Sequence, residues 1–129
     1  MKKLLTVLTI MILFFFCGKS NATTYQEAIN KSASTPAMVL VYANWADNYQ
    51  KCINNMVQVK KYFGDKYNYV ALDIATPEAK AFNKTNSIYT NLPYILLMRA
   101  NGKVQRYLDN NCAQDTRCII DKGRMFIGE

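Results

Sequence analysis

The stretch that most limits the fold is the run at residues 37–43, Ala-Met-Val-Leu-Val-Tyr-Ala. It is continuously apolar, rich in valine, too short for a buried helix, and lacks the alternation of a strand wetted on one side. A central strand covered on both faces satisfies it. Downstream, Asp47 is placed to cap a helix with Gln50 at its third position. Tyr49, Cys52, Ile53, Met56, Val59, Tyr62 and Phe63 then recur at three- and four-residue steps, and Gly64 closes the helix. Residues 67–74 form a second strand. Strand, helix and strand with such short connections imply a parallel pair with a right-handed crossover, a βαβ unit.

The flanks extend this unit. Thr24 and Glu27 match a capping box, which predicts a short helix to about Ser32, ended by Thr35-Pro36. Thr76-Pro77-Glu78 offers a cap, a proline at the first helical position and an acid in the first turn, opening a helix to about Thr85. After a loop over residues 86–92, strands at 94–100 and 103–108 flank Asn101-Gly102, the dipeptide suited to a two-residue hairpin turn. Residues 113–126 are loosely helical, with Gly123 weakening the interior. The expected order is a helix followed by βαβαββα, an α/β domain with a mixed sheet, a β-hairpin and a C-terminal helix. There is no internal repeat or low-complexity tract.

The chain has 129 residues, half of them apolar, which suits one core. Its beginning reads differently. Met1-Lys2-Lys3 precedes an apolar stretch of about 14 residues, short of the roughly 20 that span a bilayer, and Ser20 and Ala22 supply the small residues of a cleavage site. Residues 1–22 are therefore expected to be a Sec signal peptide of bacterial type, cleaved after Ala22. The mature chain, 23–129, would be periplasmic or secreted, with no stable membrane anchor. An uncleaved anchor, or a lipid anchor at Cys17 crowded by Phe14, Phe15 and Phe16, are the alternatives. Cleavage removes Lys2, Lys3 and Lys19 and no acid, lowering the formal net charge from +7 to +4. The remaining cations are scattered singly, which argues against nucleic acid as a partner.

Three cysteines survive cleavage: Cys52, Cys112 and Cys118. Cys52 lies on the apolar stripe and is expected to be a core residue. Cys112 and Cys118 can bridge if Cys112 stays in a loop and folds back, whereas about 9 Å of rise would part them in one helix. The chain has no histidine, which excludes Ser-His-Asp and Cys-His nucleophiles, and no metal or cofactor is expected. Asp47, Asp73 and Asp109 sit where capping or a strand end explains them. Of nine tyrosines, Tyr42 and Tyr69 fall in strands and are assigned to the core, while Tyr49, Tyr89 and Tyr94 are better binding candidates.

The element order, a buried strand running into Ala43-Asn44-Trp45, and Leu92-Pro93 just before the hairpin together resemble the thioredoxin family over nearly all of residues 23–129. The resemblance implies a three-layer sandwich. It also implies that the family's two redox cysteines fall on Ala46 and Tyr49, and its buried acid on Leu40, so neither an attacking nor a resolving thiol is present. In that family the proline loop lays its main chain against an extended polypeptide beside the tryptophan, a mode that survives loss of the thiols. The resemblance points to Trp45, Asp47, Asn48, Tyr49, Leu92 and Pro93 as a binding surface for an envelope protein or extended peptide, without turnover. Two alternatives stay open: a divergent thiol-disulfide oxidoreductase using Cys112 with Cys118, or Cys52 alone, and a structural subunit of an envelope assembly.

Overall fold

In the computed structural model, which describes residues 25–86 and 91–129, Ala37, Met38, Val39 and Val41 have no accessible surface. They lie in strand β1 (Ala37–Tyr42), which has a neighbour on each side. On one side it pairs in parallel with β2 (Asn68–Asp73), Val39 opposite Val70. On the other it pairs antiparallel with β3 (Tyr94–Arg99), Val41 opposite Tyr94. β4 (Val104–Leu108) completes the order β2-β1-β3-β4 as the antiparallel neighbour of β3. The signal segment 1–22, its cleavage site, the Thr24 cap and Tyr89 lie outside the described residues.

Side-chain alternation along β1 sorts two cores. Met38 and Leu40, with Ile95 and Leu97 of β3, pack against α2 (Tyr49–Phe63) and α5 (Thr116–Phe126). Val39 and Val41, with Leu96, Met98, Val70 and Leu72, pack against α1 (Tyr25–Lys31) and α3 (Pro77–Thr85). The result is the three-layer α/β sandwich expected, with a βαβ unit β1-α2-β2, and burying each of Met38, Val39, Leu40 and Val41 is worth about 1.5–3 kcal/mol. Among the described residues no helix is long and apolar enough to cross a membrane.

Several local expectations need correction. Asp47 does not cap α2. The cap position is Asn48, whose backbone (φ −88°, ψ 3°) is not the extended one that lets a cap side chain reach back, and no side-chain cap bond forms. Tyr62 leaves the apolar stripe, being 51% exposed, because the buried line is Cys52, Met56, Val59 and Phe63. The β3-β4 turn is not a two-residue one. Arg99 and Val104 form the last pair, and Ala100 (φ 55°) joins Asn101 (φ 59°) and Gly102 (φ 84°) in the left-handed region. The Ala100 N–H donates to Ser32 O at 3.0 Å, tying the turn to the end of α1.

The C-terminal helix is two helices. A single turn, α4 (Asn110–Ala113), is capped by Asp109, whose Oδ1 accepts from the Cys112 N–H. α5 is capped by Asp115, which accepts from the Arg117 N–H at 3.0 Å. Two carboxylate caps six residues apart let the chain stop and restart at Gln114 and Asp115. By contrast Thr76 caps α3 as expected, its Oγ1 accepting from the Ala79 N–H.

Gly123 of α5 is what lets the last helix lie on α2. A Cβ there would stand 2.7 Å from Phe63 Cζ and 2.9 Å from Phe63 Cε2. Behind it the buried Tyr67 hydroxyl donates to Gly123 O at 2.7 Å. Gly123→Ala should therefore destabilise the fold. Overpacking costs about 1–3 kcal/mol, and the better helix propensity of alanine returns only about 1 kcal/mol. Urea unfolding should show a lower midpoint at unchanged slope, and an equal or higher midpoint would show that the Phe63 ring yields freely.

Candidate functional site

Because Val41 pairs with Tyr94, the chain leaving β1 and the chain entering β3 occupy one end of the sheet, on neighbouring strands. The first is Ala43 to Asn48, folded by the Ala46 N–H donating to Ala43 O and the Tyr49 N–H donating to Ala46 O, both at 3.1 Å. The second is Leu92-Pro93, whose peptide bond is cis. Trp45 stands 68% exposed at the tip of the first. Asp47 is exposed, while Ala46, Asn48 and Tyr49 are half-buried. The Tyr49 ring packs against Tyr42, 5.1 Å between centroids. Asn48 Oδ1 is buried with no hydrogen-bond partner among the described residues, an acceptor left open beside this loop.

Pro93 is fully buried and Leu92 half-buried against the second core, so of this pair only Leu92 adds surface of its own. Tyr94, expected as a binding residue, is instead completely buried, and its hydroxyl donates to Asn83 Oδ1 at 2.8 Å. Burial pushes its phenol well above the ordinary value. Tyr42 and Tyr69 sit half-buried at the margin of the first core rather than inside it. Burial and the nearby Asp65 push Tyr69 up to about 12.

Asn110 joins this end of the molecule, a residue that reasoning from the sequence did not single out. Its Nδ2 donates to Leu92 O at 2.8 Å and to Pro93 O at 3.4 Å. Its own Oδ1 accepts from Gln114 Nε2 at 2.7 Å. Asn110 opens α4, the same single turn that holds Cys112. Cys112 is bridged to Cys118 in the first turn of α5, with the two Cα atoms 5.3 Å apart. Both cysteines are helical, against the expectation that Cys112 lies in a loop. The break at Gln114 and Asp115 does the folding back that a single helix forbids. The proline loop, α4 and the disulfide thus form one connected piece.

Cys52 is wholly buried on α2, and burial raises its thiol above the usual range, with Lys51 opposing. An exposed nucleophile at the start of the helix is not what this geometry provides. Beside α4 a cleft of about 630 Å³ is lined by Lys51, Asn111, Gln114, Asp115, Thr116 and Arg117. Another of about 600 Å³ is lined by Ser32, Thr35, Asp65, Lys66, Arg99 and Ile127, at the opposite end of the sheet.

Two measurements test this. Cys52 should resist iodoacetamide at pH 8 in the folded protein and react fully in urea. The same protonation differences act on stability: the Cys52 thiol and the Tyr67, Tyr69 and Tyr94 phenols hold their protons more tightly when folded. The stability these four groups contribute should be constant below pH 9.0 and fall as pH rises past 9.0 and then 10.0, the unperturbed thiol and phenol values. A rise over that range would contradict the assigned burial. Separately, replacing Cys112 and Cys118 together by alanine should cost about 2 kcal/mol in urea unfolding, as expected for so short a closed loop. No loss at all would mean the bridge constrains nothing.

No family profile matches this chain, and no curated protein matches it. Solved structures do. Thioredoxin from Trypanosoma brucei brucei superposes with a TM-score of 0.66 at 14% identity, over 83% of this chain and 88% of that one. Chloroplastic thioredoxin z gives 0.63 at 18% identity, over 83% and 94%. The germline-specific thioredoxin Deadhead of Drosophila melanogaster gives 0.64 at 10% identity, over 81% and 95%. Identities this low speak for architecture alone. Together with the mixed four-stranded sheet between two helical layers, they establish that this chain has a thioredoxin-like fold.

Proposed function

We propose that this chain is an exported thioredoxin-fold module, freed of residues 1–22, that binds an extended segment of another envelope protein and carries out no disulfide exchange at its helix-entry loop. The carrying observation is the exposed Trp45 on a loop that shares one end of the sheet with the cis Leu92-Pro93 segment. Exchange at that loop needs one thiol to attack and a second to release the mixed disulfide. Ala46 and Tyr49 offer neither. What stays is a binding surface: an exposed indole, the half-buried Tyr49 ring against Tyr42, and the uncovered part of Leu92. Asn110 takes one lone pair of the Leu92 carbonyl and holds that segment in place.

The Cys112–Cys118 bridge favours a second reading, in which this pair exchanges electrons with envelope disulfides. Titration of the exported protein in graded redox buffers, read by alkylation and mass spectrometry, separates the two. A bridge that resists reduction below about −300 mV is structural, whereas a potential between about −120 and −270 mV makes the protein an oxidoreductase.

Binding itself has a built-in reporter, since Trp45 is the single tryptophan of the chain. Reduced, carboxymethylated ribonuclease A is an unfolded polypeptide without tryptophan. Added to the protein, it should shift the Trp45 emission to the blue and saturate, and Tyr49→Ala should weaken the interaction about tenfold, the loss of roughly 1.4 kcal/mol. An emission spectrum that never moves would sink the binding reading. Mass spectrometry of the same sample checks cleavage after Ala22.

A further inference from the structure

A different surface lies along the far edge of the sheet. β4 is the last strand in the order, and nothing among the described residues pairs with its outer side. Of its five residues only Leu108 is buried. Cross-strand register puts Arg99 opposite Val104 and Leu97 opposite Arg106, so Arg99, Val104 and Arg106 stand on the sheet face that α5 covers. The end of α5 stops short of the edge. Between them runs a groove of about 290 Å³ lined by Arg99, Val104, Gln105, Arg106, Met125 and Phe126.

Its floor is apolar and partly wet: Met125 is 60% exposed and Val104 38%. Its rim is cationic. The Arg99 guanidinium stands 5.3 Å from the Phe126 ring centroid, and neither Arg99 nor Arg106 has a carboxylate within ion-pair distance among the described residues, where the ion pair formed is Lys66 with Glu129. Gln105 points to the other face, its Nε2 held by Gly102 O and Asn86 Oδ1.

We propose that this edge docks an extended, acidic segment of a partner protein by strand addition to β4. The unpaired backbone edge calls for a strand. The two unpaired guanidiniums call for carboxylates. Alternation along a strand sets the pattern: an apolar side chain opposite Val104, reaching Met125, and a carboxylate two residues away opposite Arg106. A second copy of this chain fits less well than an acidic segment: antiparallel pairing of β4 centred on Arg106 would set Arg106 opposite Arg106, where like charges oppose each other, with only Lys103 meeting Asp109 at the ends. The surface is separate from the Trp45 loop: Arg99 and Val104 sit at the end of β3 away from Tyr94.

The test uses isotope-labelled protein and the acetylated, amidated heptapeptide Thr-Glu-Thr-Val-Thr-Glu-Thr, which puts valine and glutamate two residues apart on one face, with its lysine-for-glutamate counterpart as control. The acidic peptide should move the backbone amide signals of residues 104–108 and 124–126 saturably, and the lysine peptide should leave them still. Arg106→Glu and Met125→Asp, both at exposed positions and both checked by circular dichroism for an unchanged fold, should each weaken the affinity at least tenfold. Still signals at millimolar peptide, equal response to the lysine peptide, or shifts confined to residues 43–49 and 92–93 would overturn the proposal. So would concentration-dependent broadening of the β4 signals without peptide, which would give the edge to a second copy.

Discussion

The structure depends on one constraint: β1 has no face that tolerates water. Seven apolar residues in a row leave no alternation to exploit, so the strand is stable only with a helical layer on each side and a paired strand on each edge. The parallel pairing with β2 supplies one edge and requires a crossover, which α2 makes. The antiparallel pairing with β3 supplies the other edge and brings Tyr94, and with it Leu92-Pro93, level with Val41. The juxtaposition of the Trp45 loop and the cis-proline segment is therefore a by-product of burying β1.

The second organising contact is α5 on α2, which turns on a missing side chain. Gly123 lowers helix propensity, and read along the chain it is a defect. In three dimensions it is the space that Phe63 occupies, with Tyr67 locking the same backbone carbonyl. Once α5 is seated there, Cys118 in its first turn comes within bridging distance of Cys112, and α4 is held where Asn110 can reach the carbonyls of Leu92 and Pro93. A packing decision at one end of α5 is thus transmitted, through covalent and hydrogen bonds, to the candidate binding loop at the other end.

The two proposed surfaces use different physics. The Trp45 loop offers an exposed aromatic plane at a place where the fold converges. The β4 groove offers an unfinished sheet edge with uncompensated charge. A segment laid at the first is chosen by shape, and one added at the second by its carboxylates and strand pattern.

Element types and their order were legible in the residues themselves, because periodicity, caps and Pro or Gly punctuation are local: the apolar run of β1, the four-residue and three-residue steps of Cys52, Met56, Val59 and Phe63, and the Thr76-Pro77 start. What was illegible depended on partners distant in sequence. Asp47 looked like a cap until the loop geometry gave that position to Asn48, and Tyr94 looked like a binding residue until β1 and α3 closed over it. The role of Asn110 at the Leu92-Pro93 segment carries no local sign, since the carbonyls its amide donates to lie 17 and 18 residues away. The sequence by itself determined the main helices and strands, short of the break at Gln114 and Asp115, and which faces must be dry, because those preferences belong to neighbouring residues. Only the tertiary structure decided which polar groups are buried, bridged or left open, because that depends on what the fold brings next to them.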